Sequence, residues 1–252
     1  MYKQNINKIG GVILAAGKGT RLNCVDIPKV MKEIGGRPIV SYTVETLQKM
    51  NFTDKQICLV VGFQREKVKE FFSDKVSYAT QEEQKGTAHA AFVGISSLPK
   101  DIETVLILNG DDSAFYKAET LEKIIEHHLK NSNILTLLSV KLPQPGDLGR
   151  IVRHENGDIE IIEKEYFTEE QKKINEINTN TFVFNRKWFE EMFPKMPMLR
   201  KLGEYGLPTV LAMAREQKKK YEVICLENSN EWFGINNPEQ LAEADQRKKQ
   251  EK

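Results

Sequence analysis

The chain has 252 residues, enough for one large α/β domain or two small ones. Hydrophobic residues make up 40% and charged residues 29%, and the net charge of +1 excludes a global field that would steer the chain to nucleic acid or to an acidic membrane surface. No apolar run approaches a membrane span and the polar N-terminus carries no signal-peptide pattern, so a cytoplasmic protein with no membrane or nucleic-acid partner is expected.

The apolar run 11–16 predicts a buried strand. Val40, Val44, Leu47 and Met50 recur at helical spacing, which predicts a helix over 38–50 with Pro38 near its start. A strand over 56–62, a helix over 64–72, a short strand over 76–80 and an alanine-rich helix over 86–97 follow. A strand at 104–109, a helix over 117–130 and a strand over 134–140 complete the first half. This βαβα rhythm predicts a Rossmann-like, three-layer α/β fold, with a mostly parallel central sheet and helices on both faces. The pattern changes after Pro143. Strands over 149–154 and 158–163 meet at Asn156-Gly157, a hairpin signal. A polar helix over 166–173, a strand over 177–184, helices over 188–193, 207–219 and 238–249, and a strand over 221–226 follow. With no internal repeat or low-complexity linker, a single domain over 1–252 is expected, its two halves meeting near residue 143.

Cys24, Cys58 and Cys225 are odd in number and unpaired by any CxxC, which argues for a reducing compartment and against a zinc site. Cys58 and Cys225 read as core thiols, and Cys24 as a loop residue that could be exposed. His89, His127, His128 and His154 show no metal-ligand spacing, and no serine stands in a nucleophile elbow.

The first strand empties into Leu14-Ala15-Ala16-Gly17-Lys18-Gly19-Thr20-Arg21-Leu22, followed by Pro28-Lys29. Glycines let a backbone approach a ligand closely, and successive N–H groups can cradle an anion. Lys18, Arg21 and Lys29 add positive charge. The spacing is neither the dinucleotide fingerprint nor a P-loop, and the bland alternative is a tight turn. Ligands of open parallel sheets bind outside the carboxyl ends of the strands. After the strand over 76–80 come Gln81, able to read a base edge, and Gly86-Thr87 at a helix start, which favours an anion. The alternatives are a solvated loop glutamine and a simple threonine cap. After the strand over 104–109 comes Gly110-Asp111-Asp112. Asp111 is placed for a hard cation such as Mg²⁺ or for an Asx turn. Asp112 reads as an exposed turn residue or a second ligand.

In order along the chain, the glycine loop with Pro28-Lys29, the run Gln81 to Ala90, Gly110-Asp111 and Gly149-Arg150-Ile151-Val152 are followed by Ile162-Glu163-Lys164, Glu176-Ile177-Asn178-Thr179, Gly203-Glu204-Tyr205 and Gly234-Ile235-Asn236-Asn237. This series resembles the uridyltransferase domain of bacterial N-acetylglucosamine-1-phosphate uridyltransferases, within the sugar-1-phosphate nucleotidyltransferases, and it covers nearly the whole chain. The resemblance implies a Mg²⁺-dependent enzyme that joins UTP and a sugar 1-phosphate, N-acetylglucosamine 1-phosphate in the family, into a UDP-sugar and pyrophosphate. It implies that Leu14, Ala16 and Gly17 line the nucleoside, with Gln81, Gly86 and Thr87 near uracil. Lys18, Arg21 and Lys29 would hold phosphates, and Asp111 and Asn236 would coordinate Mg²⁺. Gly149, Glu163, Asn178 and Thr179 would grip the sugar. Read alone, Glu163 is a solvated hairpin carboxylate, Asn178 a polar residue on an edge strand, and Asn236 part of an Asn-Asn turn. The nucleotide would occupy the half before residue 143, and an inserted β-rich lobe after it would meet the second substrate.

The chain departs from the family pattern in places. The loop before Pro28-Lys29 is one residue longer. Asn109 replaces a tyrosine, and Asp112-Ser113 replaces a valine-proline pair. Asn180 replaces a glycine, and Gly206-Leu207-Pro208-Thr209 replaces tyrosine-leucine-threonine-aspartate. The β-helical acetyltransferase half of the family does not appear in this sequence, so acetyl transfer and the trimer it builds are not expected; a monomer or small homo-oligomer is. The alternatives are another sugar or alcohol phosphate, dTTP or CTP as the nucleotide, or a catalytically weak nucleotide-sugar binding module.

Overall fold

The structure is a computed structural model that describes residues 2–22, 24, 26–199 and 201–251, with Arg21 described in its backbone alone. Strand β1 (Ile9–Ala15) is apolar along its whole length, as are β4 (Ile57–Val61) and most of β6 (Thr104–Asn109). A strand with no polar face must be covered on both sides. β1 accordingly lies at the sheet centre, parallel to β4 on one side and to β6 on the other. β5 (Ser77–Thr80) extends the sheet beyond β4 in parallel. On the other side the order runs β6, β10 (Glu176–Asn185), β7 (Leu135–Lys141) and β11 (Tyr221–Cys225). β10 is antiparallel to both β6 and β7, and β11 is parallel to β7.

Side-chain alternation along the strands feeds two cores. Ile9 and Ile13 join Val44 and Leu47 of α1 (Ile39–Lys49), Val68 of α2 (Arg65–Phe72) and Ile124 of α4 (Ala118–Asn131). Val12 and Val60 join Ala91 and Ile95 of α3 (Thr87–Ser97), Phe189 of α6 (Arg186–Met192) and Leu211 of α7 (Thr209–Glu216). Helices therefore cover both faces of a mostly parallel sheet, as the chain-order rhythm predicts. The small residues of α3 have a packing cause. A Cβ at Gly94 would stand 2.4 Å from Val12 Cγ1 and 2.6 Å from Val60 Cγ2, so only a glycine lets α3 lie this close to β1 and β4.

The β-rich part after Pro143 is smaller than the sequence suggests. β8 (Arg150–Arg153) and β9 (Ile159–Ile162) form the expected hairpin, which attaches to β10 through the pair Ile177–Arg150. The strand expected over 177–184 is present as β10, which runs through the main sheet, where Phe182, Val183 and Phe184 are fully buried. Polar α5 (Glu169–Lys172) follows the hairpin. Two further elements frame the end of β1. The hairpin β2 (Glu33–Ile34) and β3 (Arg37–Pro38) turns at Gly35-Gly36 and is absent from the sequence reading. It packs on α8 (Pro238–Gln250), to whose Asp245 Oδ1 the Gly35 N–H donates at 2.8 Å. Among the described residues, no helix is long and apolar enough to cross a membrane.

Candidate active site at the carboxyl end of the sheet

The loops after β1, β4, β5 and β6 are tied together by backbone groups at the end of β1. Leu14 O accepts from Gly110 N at 2.9 Å. Ala16 O accepts from Gln84 Nε2 at 2.7 Å and from Phe63 N at 3.4 Å. The result is a cavity of about 290 Å³ lined by Leu14, Ala16, Gly17, Lys29, Gln81, Gln84, Gly86, Thr87 and Asp111. Gln81 is buried on its floor, with Nε2 donating to Gly86 O at 3.1 Å and lying 3.1 Å from His89 Nδ1. Its amide nitrogen is therefore committed to the protein, which leaves Oε1 as the acceptor it can present to a ligand. Thr87 Oγ1 accepts from Leu207 N at 2.9 Å, fastening the segment before α7 to the start of α3.

An open cleft of about 1190 Å³ adjoins this cavity, and Asn109, Asp111 and Glu204 line both. Its far wall contains Gly149, Glu163, Asn178 and Asn180, and the loop 142–148 closes one side. Burial pushes the Glu163 carboxyl above the ordinary carboxylate range, helped by the charge of Glu165. The residue is a cleft carboxylate, not a solvated one. Asn178 stands at a bulge: the pairing of β10 with β7 shifts register between Asn178 and Thr181. Asn180 takes φ +55°, and its N–H donates to Asn178 Oδ1 at 2.9 Å. Asparagine is one of the few residues at ease in that left-handed conformation, so replacing glycine here leaves the bulge intact. Because β10 is interior to the sheet, the edge-strand reading of Asn178 does not hold.

Where the cavities meet, Lys29 Nζ donates to Asp111 Oδ2 and, at 3.1 Å, to Asn236 Oδ1. Local sequence sets up each partner. Lys29 opens a short 3-10 helix after Pro28. Asp111 sits on the glycine turn after β6. Asn236 precedes Asn237, whose Oδ1 caps α8 by accepting from Gln240 N at 2.8 Å, with Pro238 at the first helical position. Ile235 N donates to Asp111 O at 3.3 Å, which fixes Asn236 beside the carboxylate. Two side-chain oxygens thus converge on one cation, and this hard donor set suits a divalent ion that takes its other ligands from phosphates and water. Among the described residues, no three His, Cys, Asp or Glu side chains gather to hold a metal.

Expectations for four residues need correction. Asp112 is buried, not an exposed turn residue. Its Oδ2 accepts from Asn109 Nδ2 at 3.0 Å and, among the described residues, its Oδ1 has no partner. Burial, and then the Asp111 charge, hold its carboxyl well above the usual range. Thr179 does not reach the cleft: it is fully buried and donates its hydroxyl to Leu138 O at 2.7 Å, which anchors the bulge. Cys24 is buried, while Cys225 is only partly so. Lys18 is exposed and lines neither cavity, and the Arg21 side chain lies outside the described residues. Sequence reasoning missed the loop 142–148 and gave Glu204 no role. The breakers Pro143, Pro145 and Gly146 directly after β7 were the available signal, since that loop leaves the carboxyl end of a parallel strand.

The family model for nucleotidyl transferases matches residues 10–251. The chain belongs to the nucleotidyl transferase family. Curated relatives include the bifunctional protein GlmU of Carboxydothermus hydrogenoformans, 38% identical over 233 residues that make up 92% of this chain and 51% of that protein. GlmU of Syntrophotalea carbinolica is 37% identical over 94% of this chain and 51% of its own length, and GlmU of Staphylococcus carnosus 34% over 95% and 52%. The chain therefore spans about half the length of the curated relatives it matches. A crystal structure of a putative glucose-1-phosphate thymidylyltransferase from Bacillus anthracis, 18% identical, superposes with a TM-score of 0.77 over 96% of this chain and 95% of that one. That likeness confirms the fold. As a nucleotidyl transferase, the chain places its described candidate residues, Lys18 and Thr179 excepted, along two joined cavities at one rim of the sheet.

Proposed function

We propose that this nucleotidyl transferase joins UTP and a sugar 1-phosphate, with N-acetylglucosamine 1-phosphate as the leading candidate, releasing pyrophosphate and a UDP-sugar. The observation that carries the reading is the junction of the two cavities at the Lys29, Asp111 and Asn236 cluster. Nucleotidyl transfer needs two polyanions aligned so that a phosphate oxygen of the sugar attacks the α-phosphorus in line while pyrophosphate leaves. The smaller cavity accommodates the nucleoside. Gln81 Oε1 accepts from the N3–H of uracil, and the Gly17 loop brings backbone N–H groups to the phosphates. Thymine presents the same N3–H, so Gln81 selects uracil and thymine over cytosine. The larger cleft takes the sugar, with Glu163, Asn178 and Asn180 as hydrogen-bond partners for its hydroxyl and acetamido groups. Lys29 neutralises phosphate charge beside the reacting phosphorus. Mg²⁺ held by Asp111 and Asn236 would supply charge neutralisation and a template for the phosphates. No covalent protein nucleophile is required. The whole described chain acts as one catalytic domain.

The test is pyrophosphate release across a panel of UTP, dTTP and CTP against several sugar 1-phosphates. UTP with N-acetylglucosamine 1-phosphate is expected to turn over fastest. Asp111→Asn is expected to keep the thermal midpoint and to lose at least about a hundredfold in kcat, the usual scale for removing one electrostatic partner of a phosphoryl centre. Turnover in the variant equal to the parent would overturn the assignment.

A further inference from the structure

We infer that Lys29 guards the metal site, because its ammonium group and a divalent cation compete for the same two oxygens. The inference rests on the magnesium site of the reading above and deepens it. Lys29 Nζ already donates to Asp111 Oδ2 and Asn236 Oδ1, the two oxygens that would ligate the ion. The pair is largely shielded, with the Lys29 side chain 14% exposed, so water screens the repulsion between an ammonium and an incoming dication only weakly. A dication can therefore bind tightly only after Lys29 has left.

The structure also supplies the destination. Lys29 lies directly beside the glycine loop: a Cβ built on Gly19 would stand 2.7 Å from Lys29 Cβ. Beyond its Cβ the side chain keeps rotatable bonds, which let the ammonium swing. Lys29 lines the nucleotide cavity as well as touching the metal oxygens. A triphosphate on the Gly17 loop offers the ammonium new oxygens within that swing. Lys29 then moves to phosphate and frees Asp111 and Asn236 for the cation that accompanies the same phosphates. Until then Lys29 keeps both oxygens aligned and prevents futile capture of free cations. The metal site is in this way opened by the nucleotide.

The test uses Mn²⁺ alone, with free Mn²⁺ counted by electron paramagnetic resonance, on the full chain with no nucleotide present. Lys29→Met is expected to bind Mn²⁺ about tenfold or more tightly than the parent, because the competing charge is gone. Lys29→Gln, which retains a neutral donor and keeps the parent's fold more conservatively, is expected to fall between them. Asp111→Asn added to Lys29→Met is expected to abolish the gain. Equal Mn²⁺ affinity in parent and both Lys29 variants would refute the competition, as would a gain that survives Asp111→Asn. The measurement needs no turnover. A parent that releases pyrophosphate while its Lys29 variants show no gain sinks this inference alone. A parent with no transferase activity across the substrate panel sinks the functional reading.

Discussion

Gly86 offers the sharpest test of how the nucleotide cavity is built. It precedes α3 with φ +100° and ψ 176°, a region essentially reserved for glycine, and forcing a side chain into it costs on the order of 1–3 kcal/mol. A Cβ there would also meet Tyr205 O at 2.6 Å and Tyr205 N at 2.9 Å. That backbone cannot yield freely, because Tyr205 N donates to Lys85 O and Ala88 N donates to Tyr205 O, both at 2.8 Å. Gly86→Ala carries the backbone strain in either case, and must add to it either the overlap, about 1–3 kcal/mol, or the loss of these two hydrogen bonds at about 1 kcal/mol each. The second route is the less demanding and pulls the Glu204–Tyr205 segment off the cavity. Gln81, whose Nε2 donates to Gly86 O, loses its support at the same time. We expect a loss of about 3–5 kcal/mol, read as a fall of roughly 6–20 °C in thermal midpoint for a chain of this size. The KM for UTP should rise about tenfold, equivalent to about 1.4 kcal/mol of lost binding. Gly157→Ala is the control. Its φ of +87° imposes the same kind of strain, but a Cβ there would meet nothing within 4 Å among the described residues, and the hairpin turn lines neither cavity. It should cost about 1 kcal/mol and leave the KM unchanged. A Gly86→Ala protein that matches Gly157→Ala in both melting and KM would show that the contact with Tyr205 does not shape the site.

Two further outcomes follow from the same geometry. A Cβ at Gly149 would lie 2.9 Å from Glu163 Oε1, the free end of a flexible side chain, so Gly149→Ala should displace that carboxylate and little else. Steady-state kinetics are expected to show the KM for the sugar phosphate raised roughly fivefold, about 1 kcal/mol, with the KM for UTP unchanged. His128 is buried against Thr136 Oγ1 at 2.9 Å, and burial lowers its pKa from 6.5 to about 4. The unfolded chain therefore binds this proton at higher pH than the folded chain. The contribution of His128 is fully present above pH 6.5 and is lost as the pH falls to about 4, a destabilisation of about 3 kcal/mol at the acid end. Thermal melts between pH 7.5 and 4.5 should fall less steeply in His128→Gln. An equal slope would assign the acid sensitivity to other groups.

Three of the departures from the family pattern turn out to be partners of one another. Asn109 Nδ2 donates to Asp112 Oδ2, and Ser113 Oγ donates to Asn109 O and lies 2.9 Å from Thr43 Oγ1. They close the turn after β6 as a unit and so keep Asp111 in place. Asn109 and Asp112 of this unit line the larger cleft, and the cluster at Lys29 is left intact.

The sequence alone determined most of the elements and their order, the short β2–β3 hairpin excepted, because local forces set them. Unbroken apolar runs marked β1, β4 and β6, helical spacing marked α1 and α4, and Asn156-Gly157 marked the hairpin turn. It also pointed to the ends of β1, β5 and β6 as the candidate site, because glycine turns and charged residues followed those strands. Tertiary structure decided what depends on distant neighbours. The alternating pattern of β10 fits a half-buried edge strand or an interior one equally, and only its insertion between β6 and β7 buried both faces. Adjacent aspartates look alike in sequence, yet the turn sends Asp111 to Lys29 and Asp112 inward to Asn109. Thr179 and Asn178 were separated in the same way, because a bulge turned one hydroxyl to Leu138 O and left the amide beside it facing the cleft. Side-chain direction at a bulge or a tight turn is fixed by hydrogen bonds to residues far away in the chain, and no local pattern encodes those.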